Sequence, residues 1–430
     1  MKNKKVGQEI YQLIKKLYPL CRSISGNGVR QTLKIIKTHI PLKIHEVPSG
    51  KKVFDWTIPD EWNIKDAYIK NSKGKKIVDF KKSNLHVLNY STPIHQKMPL
   101  KKLKKHLFSL SKYPTWIPYL TSYYKKNWGF CLSHNQLKKL KAGIYEVCID
   151  SSLKKGHLTY GELHLKGQKK QEVLFSTYTC HPSLCNDNLS GVALLTFLAK
   201  KLLNKNLKYS YRFLFIPETI GAITWLSLNQ TKLVNIKHGL VATCVGDPGK
   251  LTYKKTRDGE AVIDKVVEKV LIDSGEPYKV INFFPSGSDE RQFCSPGFNL
   301  PIGSLMRTPY GQFPEQHSSA DNLKFIGDNY LADSFEKYQQ VIAILEKNAT
   351  YLNLNPKGEP QLGKRGIYRM LGSQKTHDLD ELAMFWVLNL SDKTNSLLDI
   401  AIRSQLTFDQ IYNAAQILLS KKLLKKYGKV

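Results

Sequence analysis

The chain has 430 residues, more than one hydrophobic core usually supports, so two or three domains are expected. Its 66 Lys and Arg against 35 Asp and Glu give a net charge of +31, but the lysines are spread along the chain, which indicates a solvated basic surface without a dedicated polyanion partner. Seven scattered cysteines exclude a disulfide framework, and with no signal-peptide core and no apolar run of about 18 residues we expect a cytoplasmic protein that does not enter membranes.

The first 140 residues change character near residue 53. Residues 6–40 predict a helix, a turn and a second helix, because apolar residues recur at helical spacing. Short strand patterns separated by turn residues follow, and then an aromatic-rich loop at 113–130. That loop contains two prolines and cannot be one regular helix. We interpret 53–140 as a β-rich inserted domain.

From Gly143 onward, strands alternate with helices, which is typical of a mainly parallel sheet covered on both faces. The fold class predicted is therefore α/β, with a mainly parallel mixed sheet flanked by helices. The predicted strands lie near 144–150, 157–166, 172–179, 211–217, 239–245 and 278–284, and the predicted helices near 188–204, 221–233, 260–274 and 328–347.

A linker-like segment at 353–360 precedes three helical patterns at 379–390, 396–403 and 407–423, which resemble a winged helix-turn-helix. The exposed positions of the last helix carry few basic residues, so we expect a structural or interaction module, with nucleic-acid binding through the winged helix as the alternative. The predicted domains are a metal-binding catalytic domain (1–52 and 141–350), the inserted domain (53–140) and the winged helix (351–430).

Five polar residues fall at predicted strand ends or in the loops that follow them. Open α/β sheets bind ligands at that edge, and imidazole together with carboxylate suits zinc and similar metals. Taken singly, His317 could be a hydrogen-bonded histidine, Asp187 a helix cap and Glu218 a buried structural carboxylate. Their joint order favours a metal site. The five residues are His181, Asp187, Glu218, Asp289 and His317.

The order His, Asp-Asn-x-Ser-Gly, Glu, Ser-Asp, His-x-x-x-Asp resembles the zinc-dependent aminopeptidase superfamily, which includes leucine aminopeptidases, glutamate carboxypeptidase II and glutaminyl cyclase. The stretches from Cys180 to Gly191, Pro217 to Gly221 and Gly287 to Phe293 are similar to a narrower bacterial branch. Its members are labelled aminopeptidase-like, carry an inserted β domain and a C-terminal winged helix, and often accompany surface-polysaccharide biosynthesis genes.

The resemblance implies roles for these residues. His181 would bind one metal ion, Asp187 would bridge two and Asp289 would complete the first site. His317 would bind the second ion, and Glu218 would be the general base that activates water. Such a centre would hydrolyse peptide or N-acyl amide bonds.

Two positions depart from the superfamily pattern. Thr219 replaces a second glutamate after the base, and Ser183 replaces an aspartate that would orient the first histidine. We therefore expect one well-occupied zinc site, formed by some three of the four ligands, and a weak second site. Alternatively, Glu218 is a ligand and another residue, such as Glu290, is the base.

Substrate contacts are predicted at three arginines, because guanidinium groups bind carboxylates and phosphates with two donors. The expected substrate is a small peptide-like or N-acylated molecule, and homo-oligomers remain open. Two other functions remain open as well: a single-zinc acyl-transfer or cyclisation enzyme, and a non-catalytic regulator or scaffold that uses the winged helix. The arginines are Arg291, Arg257 and Arg30.

Overall fold

The computed structural model describes residues 2–367 and 379–428. Contacts divide the chain into two compact units, Met1–Gly259 with Tyr278–Glu336, and Glu260–Pro277 with Lys337–Val430. The predicted fold class is confirmed, because the first unit contains a mixed sheet flanked by helices and the second contains a winged-helix arrangement.

The centre of the first unit is a sheet that has eight strands within the described residues. Its four middle strands run parallel, and antiparallel neighbours complete both sides. Two middle strands, Glu172–Tyr178 and Ser210–Ile216, are buried at every position, because helices cover both faces of the sheet. From one edge to the other, the strands are Lys43–Pro48, His157–Leu165, Ser210–Ile216, Glu172–Tyr178, Ile236–Ala242, Ile302–Met306, Leu251–Lys254 and Tyr278–Ile281.

The longer predicted helices of this unit are present with small shifts at their ends. The helix Ser190–Leu202 is buried along almost its whole length, as expected for a helix packed on a central strand. The helices of the first unit are Lys2–Leu17, Asn27–Lys37, Leu100–Leu103, His134–Lys138, Ser190–Leu202, Ile220–Leu228 and Glu290–Phe293, and the helix Asp328–Lys347 begins in it.

A second sheet in the first unit consists of Lys76–Asp79, Glu61–Lys70, Ile144–Lys154 and Ile94–Pro99. The sequence pattern had assigned the strand near 144–150 to the central sheet, and that assignment was wrong: the strand pairs with Glu61–Lys70 and Ile94–Pro99. Alternating burial specifies a strand but not its partner. The pairs Lys52–Val53 with Trp56–Thr57 and Leu107–Phe108 with Phe130–Cys131 form two further small sheets.

The second unit contains the three predicted C-terminal helices. Ser396 and Thr407 each cap a helix with the side-chain oxygen accepting from a backbone N–H, which fixes both starts. Its elements are the helices Val262–Asp273, Leu379–Leu390, Leu397–Ser404 and Phe408–Ser420, the end of Asp328–Lys347, and the strands Thr350–Asn353, Asp392–Ser396 and Leu424–Tyr427.

Among the helices of residues 2–367 and 379–428, none combines the length and the apolar character needed to cross a bilayer.

Candidate metal centre

The candidate site lies where the middle strands of the central sheet end. Tyr178 pairs with Ile216, so these two parallel strands finish at the same edge. The loop after Tyr178 carries His181 and Asp187, and the loop after Ile216 carries Glu218. The parallel topology therefore brings residues that are distant in sequence to one edge of the sheet.

Three predicted ligands converge at this edge. One ligand atom from each of His181, Asp187 and His317 lies within 4.8 Å of the others, and we call this set the metal triad. His317 Nε2 is 3.1 Å from Asp187 Oδ2. Two imidazoles and a carboxylate are a donor set that zinc accepts, and His317, whose side chain is 48% exposed, leaves the triad open to solvent on one side.

Buried groups hold Asp187 in place. Asp321 accepts hydrogen bonds from the backbone N–H groups of Cys185 (3.1 Å), Asn186 (2.6 Å) and Asp187 (2.9 Å). The hydroxyl of Tyr178 donates to Asp187 Oδ1. Burial alone would raise the pKa of Asp187, but His181 and His317 outweigh it and leave the pKa below its usual range. The carboxylate is thus ionised and fixed.

His181 is held through its backbone. The buried Arg22 donates from Nε to the carbonyl oxygen of His181 (2.8 Å) and from Nη1 to that of Leu17 (2.6 Å). Burial lowers the pKa of His181 to about 4, so its imidazole is neutral at pH 7, the form that binds metal ions. His181 Nδ1 lies 3.4 Å from the sulfur of Cys180. Ser183 points elsewhere and donates to the carbonyl of Tyr18.

Glu218 lies beside the triad, with its Oε2 3.9 Å from His181 Nε2. Burial, followed by the charges of Asp289 and Asp187, raises the pKa of Glu218 well above its ordinary value. Cys180, His181 and Glu218 form a second group of converging ligand atoms. A carboxyl group in this position can move a proton next to a bound metal ion.

Asp289 is not part of either converging group in the described part of the chain. Its Oδ1 accepts from the backbone N–H of Thr219 at 2.7 Å, and burial raises its pKa to about 7. The Thr219 hydroxyl in turn accepts from Arg291 Nη2 at 3.0 Å. A guanidinium therefore stands beside Glu218 and Asp289, at the position where the sequence lacks a second glutamate.

The other predicted residues are placed as follows. Glu290, the alternative base, is fully buried and paired with Lys254 at 2.8 Å. Arg30 binds Glu61 with two nitrogens and Glu46 with a third contact, so its donors are occupied within the chain. The exposed Arg257 donates to the side chain of Asn299.

The aromatic loop, whose rings could on sequence grounds either line a substrate groove or pack in the core, forms a wall of the site. The ring of Tyr119 lies 5.2 Å from that of His181 and 5.3 Å from that of His317, measured between centroids. Its backbone N–H donates to the carbonyl of His317 at 2.7 Å. Arg22, Tyr178 and Asp321 also act here, and Asp321 had been visible as the end of the His-x-x-x-Asp pattern.

Backbone conformation at this edge is unusual. Ser183, Thr219, Cys244 and His317 all have positive φ, at 43°, 63°, 50° and 52°, although none is a glycine. Such conformations cost energy and persist where surrounding contacts enforce them, commonly at functional sites.

Comparisons with known proteins agree with the observed fold. A family model described as a domain of unknown function (DUF4910) matches residues 11–348, and one described as a winged helix-turn-helix matches residues 349–426. A Clostridium acetobutylicum protein named "Putative polysaccharide biosynthesis protein with aminopeptidase-like domain" is 62% identical over 419 residues, which cover 97% of this chain and 96% of the relative.

Solved structures extend the comparison. A crystal structure described as a "putative peptidase" from Clostridium acetobutylicum has a TM-score of 0.95 and 59% identity, and covers 99% of this chain and 97% of its own. The zinc aminopeptidase BSAP from Bacillus subtilis has a TM-score of 0.57 at 12% identity, over 79% of this chain and 94% of its own. The resemblance predicted from sequence is confirmed for the fold and for the winged helix.

Proposed function

We propose that this chain, which belongs to the family described as a domain of unknown function (DUF4910), is a metal-dependent hydrolase that splits an amide bond in a peptide or an N-acyl group. One observation carries the proposal: the metal triad converges within 4.8 Å, with Glu218 beside it, at the open edge of the sheet. The aminopeptidase-like fold supports the same chemistry by analogy only.

Zinc is the proposed metal ion, held by His181, Asp187 and His317. When bound, it would polarise the amide carbonyl and lower the pKa of water at the site. One ion per chain is proposed, because Thr219 offers only a hydroxyl that Arg291 already uses, and Asp289 is engaged by the Thr219 amide.

Glu218 is the proposed general base and acid. It takes a proton from the attacking water and returns it to the leaving nitrogen, so that the amide and one water become a carboxylic acid and an amine. A cation at the triad would lower the raised pKa of Glu218, because it favours the ionised carboxylate. Glu290 is less suited to this role, since Lys254 holds it as a buried ion pair. Arg291, next to Glu218, is the proposed contact for a negative group of the substrate.

The name of the 62% identical relative supports a place in polysaccharide biosynthesis.

For the winged helix we propose a structural or interaction role. Its helix Phe408–Ser420 exposes Asp409, Asn413 and Ile417, which do not form a phosphate-binding surface. A duplex-DNA titration at two salt concentrations tests this, and tight sequence-dependent binding would contradict it.

The test of the hydrolase is metal analysis combined with a base variant. The purified protein should contain about one zinc per chain, and Glu218→Gln should retain zinc and fold while losing at least about a hundredfold in kcat. The control is His95→Ala, at an exposed histidine outside the triad, which should change neither the zinc content nor kcat. The proposal would be contradicted if the protein bound no metal or if chelators did not reduce its activity.

A further inference from the structure

An exposed aromatic surface lies in the segment predicted as an insertion and in one neighbouring loop. Phe54 is 47% exposed, Trp56 37% and Tyr124 49%. Trp56 packs edge-on against Tyr124 with centroids 5.2 Å apart, and Phe54 packs against Phe298 at 5.6 Å. We call these four residues the aromatic rim. Adjacent exposed apolar side chains of this size commonly mark a binding site.

The rim is continuous with the metal triad. Tyr119 contacts both triad histidines, and its hydroxyl is 3.0 Å from that of Tyr123. The ring of Tyr123 lies 6.3 Å from that of Tyr124, which belongs to the rim. Three tyrosines of one loop thus connect the buried centre to the surface.

The chemistry of the rim indicates what extends there. Within residues 2–367 and 379–428, neither the indole N–H of Trp56 nor the hydroxyl of Tyr124 has a hydrogen-bond partner. Trp56 therefore offers an apolar face and a free indole N–H, whereas the Tyr124 hydroxyl lies largely inside the protein, where burial raises its pKa. A pyranose ring is the complement of this arrangement, since it has an apolar C–H face and a periphery of hydroxyl groups. Trp56 and Tyr124 are each more than a third exposed, which suits a ligand that stays partly in solvent.

We propose that the aromatic rim binds a sugar ring of an N-acylated amino-sugar chain, while the metal triad and Glu218 face the N-acyl group of the adjoining residue. The choice of reactive group depends on the proposed function, but the sugar-binding role of the rim does not. The substrate class is then an oligosaccharide that contains N-acyl hexosamine, and the reaction releases the acyl group as a carboxylic acid and leaves an amine on the sugar.

Binding measurements test the rim independently of catalysis. The probe is the β-linked trimer of N-acetylglucosamine, titrated by calorimetry into the full-length, zinc-loaded Glu218→Gln protein. Trp56→Ala and Tyr124→Ala, added singly, should each weaken binding by about tenfold, because each removes one stacking face. Trp56→Phe should recover part of the loss. The matched control is Tyr427→Ala, which removes an exposed tyrosine from the winged-helix unit and should change nothing.

Thermal unfolding of each variant shows whether a loss of binding reflects a loss of fold. A wild-type protein that does not bind the trimer at millimolar concentration overturns the inference. Trimer binding that is unchanged in Trp56→Ala also overturns it. The same holds if an N-acetylated aromatic dipeptide requires Trp56 for binding and the trimer does not. If the trimer binds through the rim but no acetate is released by the zinc-loaded wild type, the proposed reaction fails and the sugar site stands.

Discussion

The two sides of the candidate centre handle charge in different ways. On the triad side, Asp187 faces two imidazoles, and burial keeps His181 neutral. On the arginine side, made up of Glu218, Asp289 and Arg291, burial raises the pKa of both carboxyl groups, and the chain supplies its own cation, whose charge opposes that rise. The triad side is therefore suited to a cation from solution, and the arginine side already has one. This contrast accounts for a single proposed metal ion on a fold that zinc aminopeptidases share.

The largest expected effect separates the two sides directly. Asp187→Asn removes the negative ligand of the metal triad, so zinc affinity should fall by more than about a hundredfold. Asp289→Asn should leave it nearly unchanged, because Asp289 binds the Thr219 amide. Competition with a zinc chelator measures both. If Asp289→Asn released zinc as readily as Asp187→Asn, the distinction between the sides would collapse.

A smaller effect is expected one contact away from the triad. Asp321→Asn loses the acceptor for the Asp187 N–H and places an amide group where a carboxylate received three backbone donors. Zinc affinity should fall about 10- to 100-fold, as for other groups that orient ligands. The exposed Asp258→Asn serves as the control. Unchanged zinc affinity in Asp321→Asn would mean that the loop holds Asp187 without it.

A third change probes the support of His181 through stability. Arg22→Met leaves the carbonyls of Leu17 and His181 without their donor, so the free energy of unfolding should fall by about 2 kcal/mol. Urea unfolding measures this, with the exposed Arg257→Met for comparison. Equal stability of the two variants would show that water replaces the Arg22 donors at no cost.

The smallest expected effect is on the pH dependence of stability and concerns Arg30, whose guanidinium is fully paired, unlike that of Arg291. Arg30 lowers the pKa of Glu61 from 4.5 to about 2 by hydrogen bonding. Because the folded pKa is depressed, this contribution is present above pH 4.5 and is lost as pH falls towards 2. It should amount to about 1 kcal/mol or less, since the pair is partly solvated. The free energy of unfolding of Glu61→Gln should therefore depend less on pH between 4.5 and 2 than that of the wild type. An identical pH dependence in the two proteins would contradict the pairing.

The order of polar residues at strand ends predicted much of the site, because parallel strands end at one edge whatever the details of their loops. It could not place Asp289, because the hydrogen bond from the Thr219 amide to Asp289 depends on the left-handed φ of Thr219, which residue spacing does not encode. The roles assigned to the individual ligands, and the predicted domain boundaries, stay predictions.

Helices and strands differed in how well the sequence predicted them. Long periodic helices such as 328–347 were found with their observed bounds. The short strands Leu251–Lys254 and Ile302–Met306 were missed, because four or five buried residues carry no distinguishing period. The Cys21–Arg30 turn suggested that Arg22 reaches the cleft, but its contact with the carbonyl of His181 could not be predicted, since the two residues are distant in sequence.

The hydrogen bond from Tyr119 to the carbonyl of His317 has a practical consequence for dissecting the protein. The segment 53–140 looks like an appendage that could be deleted to leave a smaller catalytic core. Yet one of its loops forms a wall of the site and carries the ring between the two histidines. A shortened protein without the segment would keep all three triad side chains but lose the Tyr119 ring and its hydrogen bond to His317. We therefore expect the segment 53–140 to be required for the proposed activity.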